Sequence, residues 1–214
     1  MNLQECLQKM DAKEVAEIYS RRFQIHRKLR RLFETESVED FVNLALGISD
    51  STGNYSATEH PIQMGRLILS ETQPSDVFEL AQKLDQVDKK HLPITIEKEG
   101  IRNLKISIGS EMAMMLRPNE LWVGNKRTYW ASLLVEHGNH KKANDQLELY
   151  YDREGEMPYE IWTYLYLRAE EQLRDLGRAA GEVATESGIE PGARIFLWAD
   201  AVATNLFGTL AFKP

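Results

Sequence analysis

The sequence predicts a mainly α protein of the α+β kind: many helices, with a small antiparallel β meander of two or three strands set mid-chain. Three observations lead there. Apolar residues recur at intervals of three, four and seven through most of the chain, the spacing of a single buried helical stripe. Between Pro93 and Gly124 the pattern changes to alternation, the period of a half-buried strand. Helices bracket that stretch on both sides instead of alternating with strands, which excludes a βαβ arrangement.

Residues 2–34 read as helix in two pieces, the second opening at Asp11 with Glu14 at capping-box distance. Val15, Ile18, Ile25, Leu29 and Leu32 supply its apolar stripe. Ser37 with Asp40 starts another helix, whose inner face is Phe41, Leu44, Ala45 and Ile48. The polar stretch 49–61 has Gly, Pro and no periodicity, and reads as a mobile loop. Residues 62–73 fit no single pattern. After Pro74 a helix turns Val77, Leu80, Leu84 and Val87 inward. PITIEK and NLKISIG, joined by EGIR, then read as a hairpin within a β region over 93–124. A helix follows from Ser110, a turn at Arg117-Pro118-Asn119, and ELWV as a third strand. The remainder is helical: Thr128 to His137 with Thr128 as N-cap, Asn139 to Tyr151, a long segment from Pro158, and a last one carrying Ile195, Trp198, Val202 and Leu206.

At 214 residues, 43% apolar and 28% charged, the chain fits one domain, 1–214, with a proper core. Any division is expected in 49–61 or near Asp88–His91. A net charge of −7 excludes a surface that binds nucleic acid all over, yet leaves room for a local basic patch. No run approaches 18 apolar residues, so no membrane span is expected. The opening MNLQECLQKMDAKE lacks the basic start and apolar run of a secretory signal. Cys6 is the sole cysteine and shares a helical face with Leu3, Leu7 and Met10, which marks a buried hydrophobe and rules out an intramolecular disulfide. A cytoplasmic location is the expectation.

The residues with chemical interest are mostly cationic. SRRFQIHRKLRRLF, residues 20–33, carries Arg21, Arg22, Arg27, Lys28, Arg30 and Arg31 with no acid among them. Like charges three and four apart on a helix repel, so an anion must lie near: a partner's phosphates or carboxylates, or acids of the chain itself. Lys126 and Arg127 stand just before the Thr128 helix start, where free amides and cations together make a ready anion site. Anion binding is therefore assigned to Arg21, Arg22, Lys28, Arg31, Lys126 and Arg127.

Arg21 and His26 are similar in spacing to the Arg-x4-6-His motif of the HEPN family of helical ribonucleases. The resemblance implies a histidine that moves protons beside an arginine that steadies an oxyanion. Arg22 stands where that family favours Asn, Asp or His, and the motif lies near the N-terminus instead of in a late helix. The chain is not assigned to the family.

Glu136, His137, His140, Asp145 and Glu148 are close in sequence, but Gly138 and Asn139 interrupt the helix between the histidines, so no metal site is expected. Glu170, Glu171 and Asp175 lie beside Arg168, Arg174 and Arg178, as surface ion pairs do. Asp200, flanked by Trp198, Ala199, Ala201 and Val202, is expected to point outward. Tyr150, Tyr151, Tyr159, Trp162, Tyr164 and Tyr166 crowd the C-terminal half. No phosphate loop, nucleophile elbow or zinc-protease motif is present.

These residues point first to a non-enzymatic cytoplasmic protein that contacts an anionic partner, nucleic acid or an acidic protein surface, without a cofactor. The alternatives are a nuclease or phosphoryl-transfer enzyme built on His26, Arg21 or His137, and a homodimer formed through the aromatic-rich C-terminal half.

Overall fold

A computed structural model describes residues 1–50, 64–151 and 157–211. Of these, 73% are helical. The helices are α1 (Leu3–Leu7), α2 (Ala12–Glu34), α3 (Val38–Ala45), α4 (Met64–Leu69), α5 (Pro74–Gln86), α6 (Leu92–Glu99), α7 (Ile106–Leu116), α8 (Lys126–His137), α9 (His140–Leu149), α10 (Tyr159–Glu186) and α11 (Ile195–Leu210). They group into two compact units, Met1–Ser20 with Gly124–Pro214, and Arg21–Val123, the division falling inside the continuous helix α2. Of the loop read over 49–61, residues 51–61 lie outside the described residues. No described helix is long and apolar enough to cross a membrane.

The β meander is overturned. Among the described residues there is no strand, and the hairpin region 93–124 holds α6, α7 and a buried segment without regular structure, Leu121-Trp122-Val123. The physical reason differs for each piece. In α6, Pro93 occupies the first turn, where its missing N–H costs nothing. Ile94 faces water while Ile96 faces the core, so the two do not share a side as a strand would require. Helix α7 begins at Ile106, not Ser110, and is buried around its circumference: Ile106, Ile108, Met112, Ala113, Met114 and Met115 are all inside. A helix enclosed on every side has no polar face, hence no 3.6-residue signature, and its Leu104, Ile106, Ile108 spacing carried no period-two meaning. Gly109 permits the close packing of α6 on α7, since a Cβ there would lie 2.6 Å from Ile96 Cδ1.

In the unit Arg21–Val123, α7 is the centre, with α5 and α6 against it and α3 on α5. Phe33, Phe41 and Phe78 meet with ring centroids 5.3–5.6 Å apart. The interior of α7 also holds an acid, Glu111, whose carboxylate meets Arg22 of α2 at 3.1 Å; the two side chains are 1% and 2% exposed. Removing charge from water at that depth is tolerable only with such a partner.

In the other unit α11 is the apolar centre, packed with α8 and α10, while α9 covers α8. Trp198 donates its indole N–H to the Gly177 carbonyl at 3.1 Å, and its ring meets Tyr19 edge-on. Asp11 caps α2 by accepting from the Lys13 and Glu14 amides, both at 3.0 Å. The reciprocal half of that box is supplied from elsewhere: Asn205 accepts from the Asp11 amide and donates to the Glu14 carboxylate at 2.6 Å. Asp200 is buried, not outward as its sequence context suggested. Tyr129 is also buried, donating to the Trp162 carbonyl at 2.8 Å. Burial, reinforced by Tyr166, pushes its phenol well above the ordinary value.

Two outcomes follow from these cores. Arg22→Met leaves the Glu111 carboxylate without this cation in the interior and lowers unfolding stability by about 3–5 kcal/mol, read from urea midpoints, whereas Arg27→Gln raises it by no more than a few tenths of a kcal/mol. For Tyr129, a folded-state pKa above the unfolded one means its stabilisation is complete below about pH 10 and declines as pH rises beyond. Tyr129→Phe therefore removes up to about 1.4 kcal/mol per pH unit from the alkaline fall in stability, measured by urea unfolding between pH 9 and 11.

Candidate functional site

Helix α2 sorts its basic residues by rotation. At about 100° per residue, Ile18, Arg22, Ile25, Leu29 and Leu32 fall together on the buried side. Arg22 thus leaves the anion-binding set: it is an interior ion-pair partner. Arg30 sits at the border, donating to Glu34 at 2.9 Å and Asp85 at 2.6 Å. Arg27 and Arg31 lie opposite, with Arg21 and Lys28 on the flank between; all four are exposed and form no ion pair with any described residue. They occupy about a third of the helix circumference and about 15 Å of its length, from a rise of about 1.5 Å per residue. Gln24, also exposed, lies among them.

This strip belongs to the less acidic half of the protein. Arg21–Val123 carries 14 of the 26 basic and 15 of the 33 acidic side chains, leaving 12 and 18 for the rest. The net negative charge therefore sits mainly in the unit without the strip, although the near-balance of Arg21–Val123 includes the four cations of the strip itself.

Lys126 and Arg127 are in the other unit and their setting differs from the sequence reading. The N-cap of α8 is Asn125, not Thr128; the Asn125 side chain accepts from the Thr128 amide at 3.0 Å and Thr128 closes a capping box. Both cations are thus inside the first turn, not ahead of it. Capping takes the amide that an anion would use, and Lys126 lies 4.9 Å over the Tyr151 ring. The six assigned residues divide accordingly: Arg21, Lys28 and Arg31 on the α2 face, Arg22 in the core, Lys126 over the Tyr151 ring, and Arg127 beside it in the first turn of α8. Arg27 and Gln24 join the face and were not assigned from sequence.

The catalytic candidates do not assemble. His26 is 9% exposed, and its Nδ1–H donates to the Met115 carbonyl at 2.6 Å, which commits that nitrogen as a donor. Arg21 is on the far side of the same helix. His137 ends α8, Gly138 follows with φ 58°, and His140 opens α9 with Asn139 as its cap. A left-handed glycine between the histidines turns the chain, so they share no helical face. Among the described residues no group of three or more His, Cys, Asp or Glu is placed to hold a metal. Tyr164 is exposed and held by Arg168, while Tyr129 and Tyr166 are core.

Among the described residues, depressions large enough for a small molecule include two that lie away from the α2 strip. One, about 590 Å³, is lined by Arg30, Phe33, Glu34, Glu79, Lys83 and Asp85. Its cations are occupied: Arg30 as above, and Lys83 by Glu79 and Glu99 at 3.2 and 2.8 Å. The other, about 560 Å³, runs along Gly177, Gly181, Pro191, Ile195 and Trp198. Neither contains a histidine or a cysteine. No known family, curated protein or solved structure matches the chain.

Carbethoxylation separates the histidines. His91, 72% exposed, reacts with diethyl pyrocarbonate, and His26 stays unmodified in the folded protein, as read by peptide mass spectrometry. A reactive His26 would reopen the catalytic reading.

Proposed function

We propose that this protein is a cytoplasmic, non-enzymatic binding module that engages a polyanion through the exposed face of α2. One observation carries this reading. Arg21, Arg27, Lys28 and Arg31 stand together without an ion pair among the described residues, while Arg22 and Arg30 of the same run are neutralised by Glu111, Glu34 and Asp85. A chain with 33 acidic side chains had ample means to neutralise four more cations. Leaving them in water costs a few tenths of a kcal/mol per like-charged pair on a helix, a cost that an external anion reverses. Binding, not chemistry, is the role that matches an exposed face whose own helix keeps its one histidine, His26, in the interior. The lone, buried Cys6 accords with a reducing compartment.

Heparin affinity chromatography tests the reading. The protein is retained at low salt and elutes as salt rises, and the variant with Arg21, Arg27, Lys28 and Arg31 each changed to Gln passes through unretained. Flow-through of the unaltered protein, or identical elution of the two, overturns it.

A further inference from the structure

The arrangement of charge on α2 carries more than a sign. Viewed down the helix at about 100° per residue, Arg27 and Arg31 form one row, Arg21 and Lys28 a second, and Gln24 projects between them. Two cationic rows flanking a neutral amide are what a helix needs to meet two walls of phosphate with a floor of hydrogen-bonding edges between.

We propose that the α2 face docks in the major groove of duplex DNA, with the two rows on opposite phosphate backbones and Gln24 toward the base edges. The inference rests on the polyanion reading above and narrows it to one partner. The dimensions agree: a helix with its side chains is about 10–12 Å across, and the major groove of B-form DNA is about 12 Å wide. Three of the four cations are arginines, whose planar fork matches phosphate oxygens in pairs. Gln is a side chain that reads adenine by two hydrogen bonds in that groove.

The same face argues against other anions. Its exposed residues, Ser20, Arg21, Gln24, Arg27, Lys28 and Arg31, include no aromatic ring, so it offers no stacking platform for the bases of a single strand. A-form RNA presents a major groove too narrow for a helix. No carboxylate interrupts the run between Glu17 and Glu34, two exposed acids that bound the strip at its ends, so a line of phosphates laid between them meets only cations and neutral side chains.

Fluorescence anisotropy with a labelled duplex of about 20 base pairs, the same sequence single-stranded, the matching RNA duplex, and poly-glutamate decides the matter. Contact with four phosphates gives a log–log salt slope of about −3.6, from about 0.9 per phosphate. Arg27→Gln and Arg31→Gln each bring the slope about 0.9 closer to zero, whereas Gln24→Ala leaves it unchanged. Preference for duplex DNA with these slopes supports the assignment. Equal or tighter binding of the single strand or the RNA duplex overturns it. So does salt-sensitive binding of poly-glutamate without binding of DNA, an outcome in which the polyanion reading survives. Binding of none of the four overturns both.

Discussion

The ion pair between Arg22 and Glu111 fixes the rotation of α2, and the character of its outer face follows from that rotation. Arg22 occupies the position i+4 from Ile18, i−3 from Ile25 and i−7 from Leu29, at the centre of the buried stripe. A cation there is met by a carboxylate that α7 brings to 3.1 Å. Charges withdrawn from water without a partner cost several kcal/mol each, so turning α2 about its axis and breaking this pair is costly. His26, one turn along, adds a second tie from the same helix by donating to the Met115 carbonyl near the end of α7. With Arg22 and His26 held inward, Arg21, Arg27, Lys28 and Arg31 have one place to go. The interior pair and the exposed strip are consequences of the same constraint.

That constraint was present in the sequence, in the spacing of Ile18, Arg22, Ile25 and Leu29, but a count of positive charges does not disclose it. Six cations in fourteen residues look like a girdle until the helix is given an inside. Once the apolar stripe is taken as the inside, Arg22 falls within it and Arg27 falls opposite, which is the reverse of their assignment by charge alone. The long amphipathic helices α2, α5 and α10 were legible because each has a wet face and a dry face, and their periodicity survives any error in the ends. The stretch 93–108 was not, because α7 has no wet face and α6 is only eight residues long. Two short apolar segments with a proline and a glycine nearby present the same composition whether they become strands or enclosed helices.

Smaller departures have the same origin, in that local chemistry admits more than one register. Asn125 and Thr128 are both good capping residues, three apart, and each uses the other in the capping box. Sequence alone does not say which leads. The choice decides whether Lys126 and Arg127 precede the helix or lie inside its first turn, and with it whether the capped end is open to an anion. Asp200 shows a different limit. Its apolar neighbours argue for an outward side chain only if some face of α11 is wet, and α11 is the central helix of its unit. What surrounds a helix is a tertiary property, and buried polar residues are where it matters most.

The α2 face is best understood by comparing two ways of treating basic residues in one helix. At Arg22 and Arg30 the protein neutralises its own charge, with carboxylates drawn from α5 and α7 and from α2 itself. At Arg27 and Arg31, four residues apart, and at Lys28 and Arg31, three apart, it accepts repulsion between neighbours instead. Replacing any one of these with Glu or Gln would relieve that repulsion without touching the core, since all lie outside the buried stripe. The fold therefore gives no reason for their sign. In water at physiological salt the repulsion is softened over about 8 Å, so it is tolerable, yet it never becomes favourable within the molecule. It becomes favourable only when a line of negative charge of matching length is laid against it. The repulsion on this face is thus a cost without return inside the molecule, and the proposed anionic partner is what would reverse its sign.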